Sequence, residues 1–175
     1  RGGGEAAAIP RLPAATGASD PAISRWVSQV SPARLASTIS DLEGFRTRDA
    51  STEACESAGE QLYEAFRALG LWTEYDPFPF GGYTSRNVVA TLRGRTQPTQ
   101  QVIICGHYDS TSDQRWTLAP GADDNGSGTA AVLEIARILA GGAFDYTIKF
   151  ICFSAEEWGL YGSRHYVAKA QAAGE

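Results

Sequence analysis

Three short stretches carry side chains able to hold a metal ion or move a proton. They are Gly106-His107-Tyr108-Asp109, Pro120-Gly121-Ala122-Asp123-Asp124-Asn125-Gly126-Ser127-Gly128 and Ser154-Ala155-Glu156-Glu157. Residues two apart in an extended segment point the same way, so the Asp109 carboxylate can approach the His107 imidazole. A carboxylate on one ring nitrogen fixes the tautomer and leaves the other nitrogen for a metal. The pair also suits a purely structural hydrogen bond. Asp123 and Asp124 are adjacent acids, expensive to desolvate together unless a cation or donors compensate. Asp, Asn and Ser before an apolar run equally suit a helix start, with Ser127 as the cap. Glu156 and Glu157 come straight off an apolar run, and a ligand carboxylate beside a proton-carrying one is what metal-assisted hydrolysis requires. Acids in a helical first turn would give the same letters. One histidine and two acidic pairs together suit a hard-to-borderline cation such as zinc, and point to a metal-dependent hydrolase.

The elements around them follow from periodicity. Asp20-Pro21 opens a helix with Ile23, Trp26, Val27 and Val30 on one face, and Ser31-Pro32 restarts it with Leu35, Ile39 and Leu42. Arg46-Thr47-Arg48-Asp49 is a polar break. The clearest amphipathic helix follows, with a stripe of Ala54, Ala58, Leu62, Ala65, Phe66 and Leu69 closed by Gly70. Residues 71–80 contain two prolines and suit an edge strand or irregular segment. A strand over 87–92 and a turn over 97–100 lead into Val102-Ile103-Ile104-Cys105, apolar on both faces as in a covered central strand. A helix over 127–139, a second buried strand over 148–153 and a helix over 160–172 complete the chain. Strand, helix, strand of this kind implies a right-handed parallel crossover. It gathers His107 and both acidic pairs at the carboxyl edge of the sheet, where open α/β sheets keep their ligand sites.

Composition narrows the rest. A chain of 175 residues, 43% hydrophobic and 20% charged, fits one ordinary soluble domain. A formal charge of −5 without a dense basic stretch argues against nucleic acid and anionic membranes as partners. No apolar run approaches the roughly 20 residues that span a bilayer. Residues 1–19 are rich in Gly, Ala and Pro and read as a flexible arm or linker, opening without Met as a processed or trimmed terminus would. Lys149 and Lys169 are the only lysines among many Arg and Ala, as a GC-rich genome would produce. Cys55, Cys105 and Cys152 are too few for a disulfide scaffold and are expected unpaired, the last two buried in strands. An α/β esterase is excluded, because Gly126-Ser127-Gly128 lacks the spacing of a Gly-x-Ser-x-Gly elbow.

The stretches Val102 to Ser110, Pro120 to Gly128 and Phe150 to Ser163 resemble the co-catalytic dizinc aminopeptidases, a family that includes secreted bacterial leucine aminopeptidases. The likeness runs from Asn87 to Tyr166. It implies an α/β fold, a mixed, largely parallel central sheet with helices on both faces in a three-layer sandwich, here incomplete. Residues 20–175 would be the N-terminal part of a single catalytic domain. By the same resemblance His107 would bind one zinc with Asp109 as its partner. Asp124 would bridge two Zn2+ through a cis peptide to Asn125, Glu157 would bind the second zinc, and Glu156 would be the general base. Asp123 is similar to a neighbouring acid that is not a ligand. The implied activity is removal of apolar N-terminal residues from a peptide substrate, by water activated between the two ions.

The family supplies two further ligands, an Asp and a His, beyond the second Glu. No Asp follows Glu157 here, and His165 lies in a helical stretch where helix packing or solvent is its expected place. These ligands are therefore expected from outside this chain, most readily from a second polypeptide completing the catalytic domain. A carboxypeptidase or dipeptidase mode and a glutaminyl-cyclase-like acyl transfer are the alternatives within the family. A non-catalytic fragment or binding module on the same fold is the alternative outside it. Trp116, Trp158 and Tyr161 are candidates for pocket walls, with core packing the commoner role for aromatics. A secreted or periplasmic location is implied by the resemblance alone.

Overall fold

The computed structural model describes residues 20–174, so the arm expected over 1–19 lies outside the described residues. Five helices and four strands follow in chain order. They are α1 (Pro21–Val27), α2 (Pro32–Glu43), α3 (Glu53–Ala68), β1 (Trp72–Phe80), β2 (Tyr83–Leu92), β3 (Gln97–His107), α4 (Gly128–Leu139), β4 (Tyr146–Phe153) and α5 (Tyr161–Ala173). The helix starts are local. Asp20, Ser31 and Thr52 accept main-chain N–H groups from Ala22, Arg34 and Cys55, and proline stands in the first turn of α1 and α2. Gly81 and Gly82, at φ of 50° and 87°, turn β1 back onto β2, two positive angles in succession as a tight hairpin requires.

The four strands form one mixed sheet in the order β1-β2-β4-β3. β1 with β2 and β2 with β4 are antiparallel, and β3 with β4 is parallel through the α4 crossover. Central β4 is covered on both sides, which is why its run from Ile148 to Phe153 is apolar apart from Lys149, whose Nζ donates to the Tyr166 hydroxyl at 3.0 Å. Ile148, Phe150 and Cys152 pack with Cys55, Leu62 and Phe66 of α3 and with Val132 and Ala136 of α4. Ile151 and Phe153 pack with Val89 and with Tyr166 of α5 on the opposite face. Helices thus cover both faces, as expected for a three-layer arrangement.

Several local expectations change. β3 is an edge strand among the described residues, so Val102 and Ile103 are 46% and 47% exposed and Cys105 is exposed as well. An apolar sequence marks a strand that can be covered, not one that is. Residues 97–100 belong to β3, which absorbs them as an irregularity between Gln97 and Gln101 where pairing to β4 shifts register. Nothing in α1 is buried; Ile23, Val27 and Val30 are exposed, and Trp26 touches Phe144 at a 5.5 Å ring separation. The three cysteines are free as expected, and burial pushes the Cys55 and Cys152 thiols up.

Candidate metal centre

The pleat at the end of β3 sorts its residues into two directions. Tyr108 is buried in the core cluster between α3 and the sheet, with its hydroxyl donating to the Arg86 carbonyl at 2.8 Å. His107 and Asp109 point the other way, toward the carboxyl edge. His107 Nδ1 lies 3.5 Å from Asp109 Oδ1 and 3.2 Å from the Asp109 main-chain oxygen, which leaves Nε2 outward. The carbonyl of His107 accepts the Thr129 hydroxyl at 2.8 Å, tying the strand end to the first turn of α4.

Asp124 arrives from the turn Ala122–Ser127, where it and Asn125 leave helical geometry and are joined by a cis peptide bond, as the resemblance implied. Its side chain is 78% exposed, and its Oδ1 stands 3.1 Å from His107 Nε2. Helix capping is not its role. Asn125 Oδ1 accepts the Gly128 N–H at 2.9 Å, whereas Ser127, the expected cap, donates its hydroxyl back to the Asp123 carbonyl. Ser127 still stands at the N-cap position of α4, but in helical geometry and with no side-chain cap bond. Asp123 is exposed.

Glu156 and Glu157 sit in the turn between β4 and α5, not in the first turn of α5, which begins at Tyr161. Ala155, buried at a φ of 54°, swings the chain into that turn. The fully buried Asp109 carboxylate then holds both main-chain N–H groups, of Glu156 on Oδ1 and of Glu157 on Oδ2, each at 3.1 Å. His107 Nε2 is 3.7 Å from Glu156 Oε2. His107, Glu156 and Glu157 each offer a ligand atom, all within 4.8 Å of one another. All five residues singled out from sequence therefore meet at one edge, while His165 lies elsewhere, 3.3 Å from Asp76 and tilted against Phe78.

The electrostatics are those of a site short of positive charge. Burial opposes charging His107, but the hydrogen bond and charge of Asp109, and then Glu156, outweigh it and raise the ring's pKa to about 9. Burial first, and then the charges of Asp124, Asp109 and Glu156, raise the Glu157 carboxyl above its ordinary value, with only His107 acting the other way. A divalent cation would relieve both, and the donor set of one imidazole and several carboxylates fits zinc. A cleft of about 440 Å³ lined by Ser51, Thr52, Arg86 and Tyr108 lies beside the candidate site and includes none of His107, Asp124, Glu156 and Glu157.

Two residues of the polar break were missed. Arg48 and Asp49 have no exposed surface. Asp49 accepts from Arg115 Nε at 2.6 Å and from the Trp158 indole at 3.2 Å, and it holds Ser51 through its other oxygen. Arg115 also lies over the Trp158 ring at 4.3 Å, so the residue after Glu157 is clamped from two sides. A run of four polar residues carries no periodic signal that would place it inside. Trp116 is 65% exposed and Tyr161 is exposed, so neither is a core residue, while half-buried Trp158 packs against Phe80 and Tyr83.

Comparison with known proteins agrees with this geometry. The profile of Peptidase family M28 matches residues 87–174. A protein of Pyricularia oryzae named a probable zinc metalloprotease is 35% identical over 159 residues, covering 78% of this chain and 32% of that protein. Leucine aminopeptidase 1 of Ajellomyces capsulatus is 33% identical over 162 residues, covering 84% of this chain and 41% of that one. The crystal structure of the Legionella pneumophila LapA aminopeptidase superposes with a TM-score of 0.72 at 26% identity, covering 87% of this chain and 42% of that one. The chain thus spans less than half the length of each. The matched profile, the fold and the edge that gathers His107 with the acidic pairs agree: this chain belongs to Peptidase family M28.

Proposed function

We propose that the chain carries one part of a dizinc aminopeptidase site, acting on peptides with apolar N-terminal residues. The observation that supports it is the meeting of His107, Glu156 and Glu157 within 4.8 Å, with Asp124 at 3.1 Å from His107. In this reading His107 and Glu157 would each hold an ion, with the exposed Asp124 as a ligand shared between the two. Bound zinc would acidify a water and polarise the scissile carbonyl. Asp109 fixes the His107 ring so that Nε2 faces the metal, and fixes the Glu turn through its two amide contacts. Glu156, half-buried beside His107 at 3.7 Å, would take a proton from the water and return it to the leaving amine. Each ion would then have two protein ligands from this chain, against the three usual in catalytic zinc sites. The missing Asp and His would come from a further polypeptide segment packed against this one. Export from the cytoplasm belongs to the same proposal and rests on the resemblance.

The deciding experiment pairs native and denaturing mass with zinc content, then compares Glu156→Ala with Asp124→Ala on an aminoacyl-anilide. Two zinc ions per complex, loss of turnover with metal retained in Glu156→Ala, and loss of both in Asp124→Ala are expected. A metal-loaded Asp124→Ala protein with normal turnover would overturn the bridging role. Turnover of N-blocked peptides with a free C-terminus, or cyclisation of N-terminal Gln, with the anilide untouched, would move the activity to the carboxypeptidase or cyclase mode.

A further inference from the structure

Arg48 is the largest fully buried side chain of the described residues, and its hydrogen bonds end on main-chain carbonyls. Nε donates to Tyr108 at 2.7 Å, Nη1 to Leu42 at 2.9 Å and Pro120 at 2.6 Å, and Nη2 to Gly121 at 2.9 Å. A buried guanidinium is expensive unless its donors are met. Burial pulls its pKa down, against the opposing charges of Asp109 and Glu43 among others. The four acceptors belong to three separate segments. One is the last turn of α2. The second is the residue between His107 and Asp109. The third is the Pro120-Gly121 pair that begins the turn bearing Asp124. The main chain of Arg48 reinforces the second tie, since its N–H donates to Ser110 Oγ at 3.0 Å and its carbonyl accepts the Ser110 N–H at 3.1 Å. Ser110 Oγ in turn donates to the Ala119 carbonyl at 2.6 Å.

We propose that Arg48 is a positioning residue for the metal site: its planar fork sets the spacing between the end of β3, with His107 and Asp109, and the turn that carries Asp124. The Asp124 side chain is 78% exposed and meets His107 Nε2 at 3.1 Å from outside the core, so where it stands depends on the placement of its main chain. Two nitrogens of one rigid plane fix that main chain to the Tyr108 carbonyl through a third. A lysine ammonium presents its donors from a single atom and cannot span the same acceptors. The inference rests on the zinc reading above.

The test separates the two. Zinc affinity is measured by competition with a chromogenic chelator, in protein that includes the segment proposed to supply the remaining Asp and His, for the wild type, Arg48→Lys and, as a destabilising control in the core, Phe66→Ala. Unfolding in urea with EDTA gives the stability of each. Arg48→Lys is expected to weaken zinc by at least about tenfold, as loss of supporting contacts around a metal site does. Phe66→Ala is expected to lose stability while its folded fraction keeps wild-type affinity. Wild-type affinity in a folded Arg48→Lys protein would overturn the proposal, and a wild type that binds no zinc would overturn the zinc reading instead. Should Arg48→Lys fail to fold, amide exchange in the metal-free wild type decides. The Gly126 N–H, bonded to the Gly121 carbonyl at 2.9 Å, is expected to be protected before zinc is added. Protection that appears only with zinc would mean that the metal orders the turn, and Arg48 would lose the role.

Discussion

The Asp109 carboxylate accepts the main-chain N–H of Glu157 at 3.1 Å, joining the strand end that carries His107 to the turn that carries the acidic pair. Its other oxygen does the same for Glu156 at the same distance. Asp109 has no exposed surface, so water cannot replace either bond. Asp109→Asn keeps the size but supplies one acceptor oxygen, leaving an NH2 group facing an N–H. The expected loss is about 1–3 kcal/mol of stability in urea unfolding. Zinc affinity is expected to fall by about 10–100-fold. A variant matching the wild type in both would show that the Glu turn is held by other means.

Gly121 has a φ of 50°, and a Cβ there would lie 2.6 Å from the Asp124 carbonyl oxygen and 2.5 Å from Ser110 Cβ. Gly121→Ala therefore meets strain and collision together. The left-handed geometry alone costs about 1–2 kcal/mol for an L side chain. A lowered melting temperature is expected, together with weaker zinc binding, because the displaced atoms belong to the Asp124 turn. A stable variant with full zinc affinity would show that this turn is more pliable than its contacts imply.

Asp76 fastens α5 to β1. Its Oδ1 accepts Lys169 Nζ at 2.8 Å and lies 3.3 Å from His165 Nε2, and Oδ2 accepts Asn87 Nδ2 at 3.0 Å. Burial works against the charged form, but the hydrogen bonds from Lys169 and Asn87 and the nearby positive charge hold the carboxyl below its ordinary value of 3.8. A folded value below the unfolded one means that its stabilisation is complete above the unfolded value. It is lost as pH falls through the folded value. Urea midpoints measured from neutral pH down through that range should fall more steeply for the wild type than for Asp76→Asn. Parallel profiles would remove Asp76 from the acid transition.

The edge of β3 exposes Val102 and Ile103 beside unpaired backbone, the arrangement that invites another chain to pair. The isolated chain is expected to self-associate reversibly in sedimentation velocity runs. Ile103→Lys should shift it toward monomer without changing the circular dichroism of the fold. A wild type that stays monomeric at high concentration would show that the edge is protected.

The element order, the helix starts at Asp20 and Ser31, the parallel β3–α4–β4 unit and the edge that gathers His107, Asp109, Asp124, Glu156 and Glu157 were all legible in the sequence. Each depends on periodicity or on contacts near in sequence, and strand ends of such a unit meet by topology. Other features depended on distant partners. Ser127 looked like the capping side chain of α4, but in the irregular turn it is Asn125 that accepts the Gly128 N–H. Val102-Ile103-Ile104-Cys105 looked covered, but coverage depends on which strands lie alongside. Arg48 and Asp49 looked like a solvated break, because a charge is interior only when acceptors converge on it. Those of Arg48 lie as far as 60 to 73 residues along the chain. The types of the side chains at the candidate site are therefore a property of the sequence. Their separation in space is a property of the tertiary structure, since it is fixed by hydrogen bonds between segments that no local pattern relates.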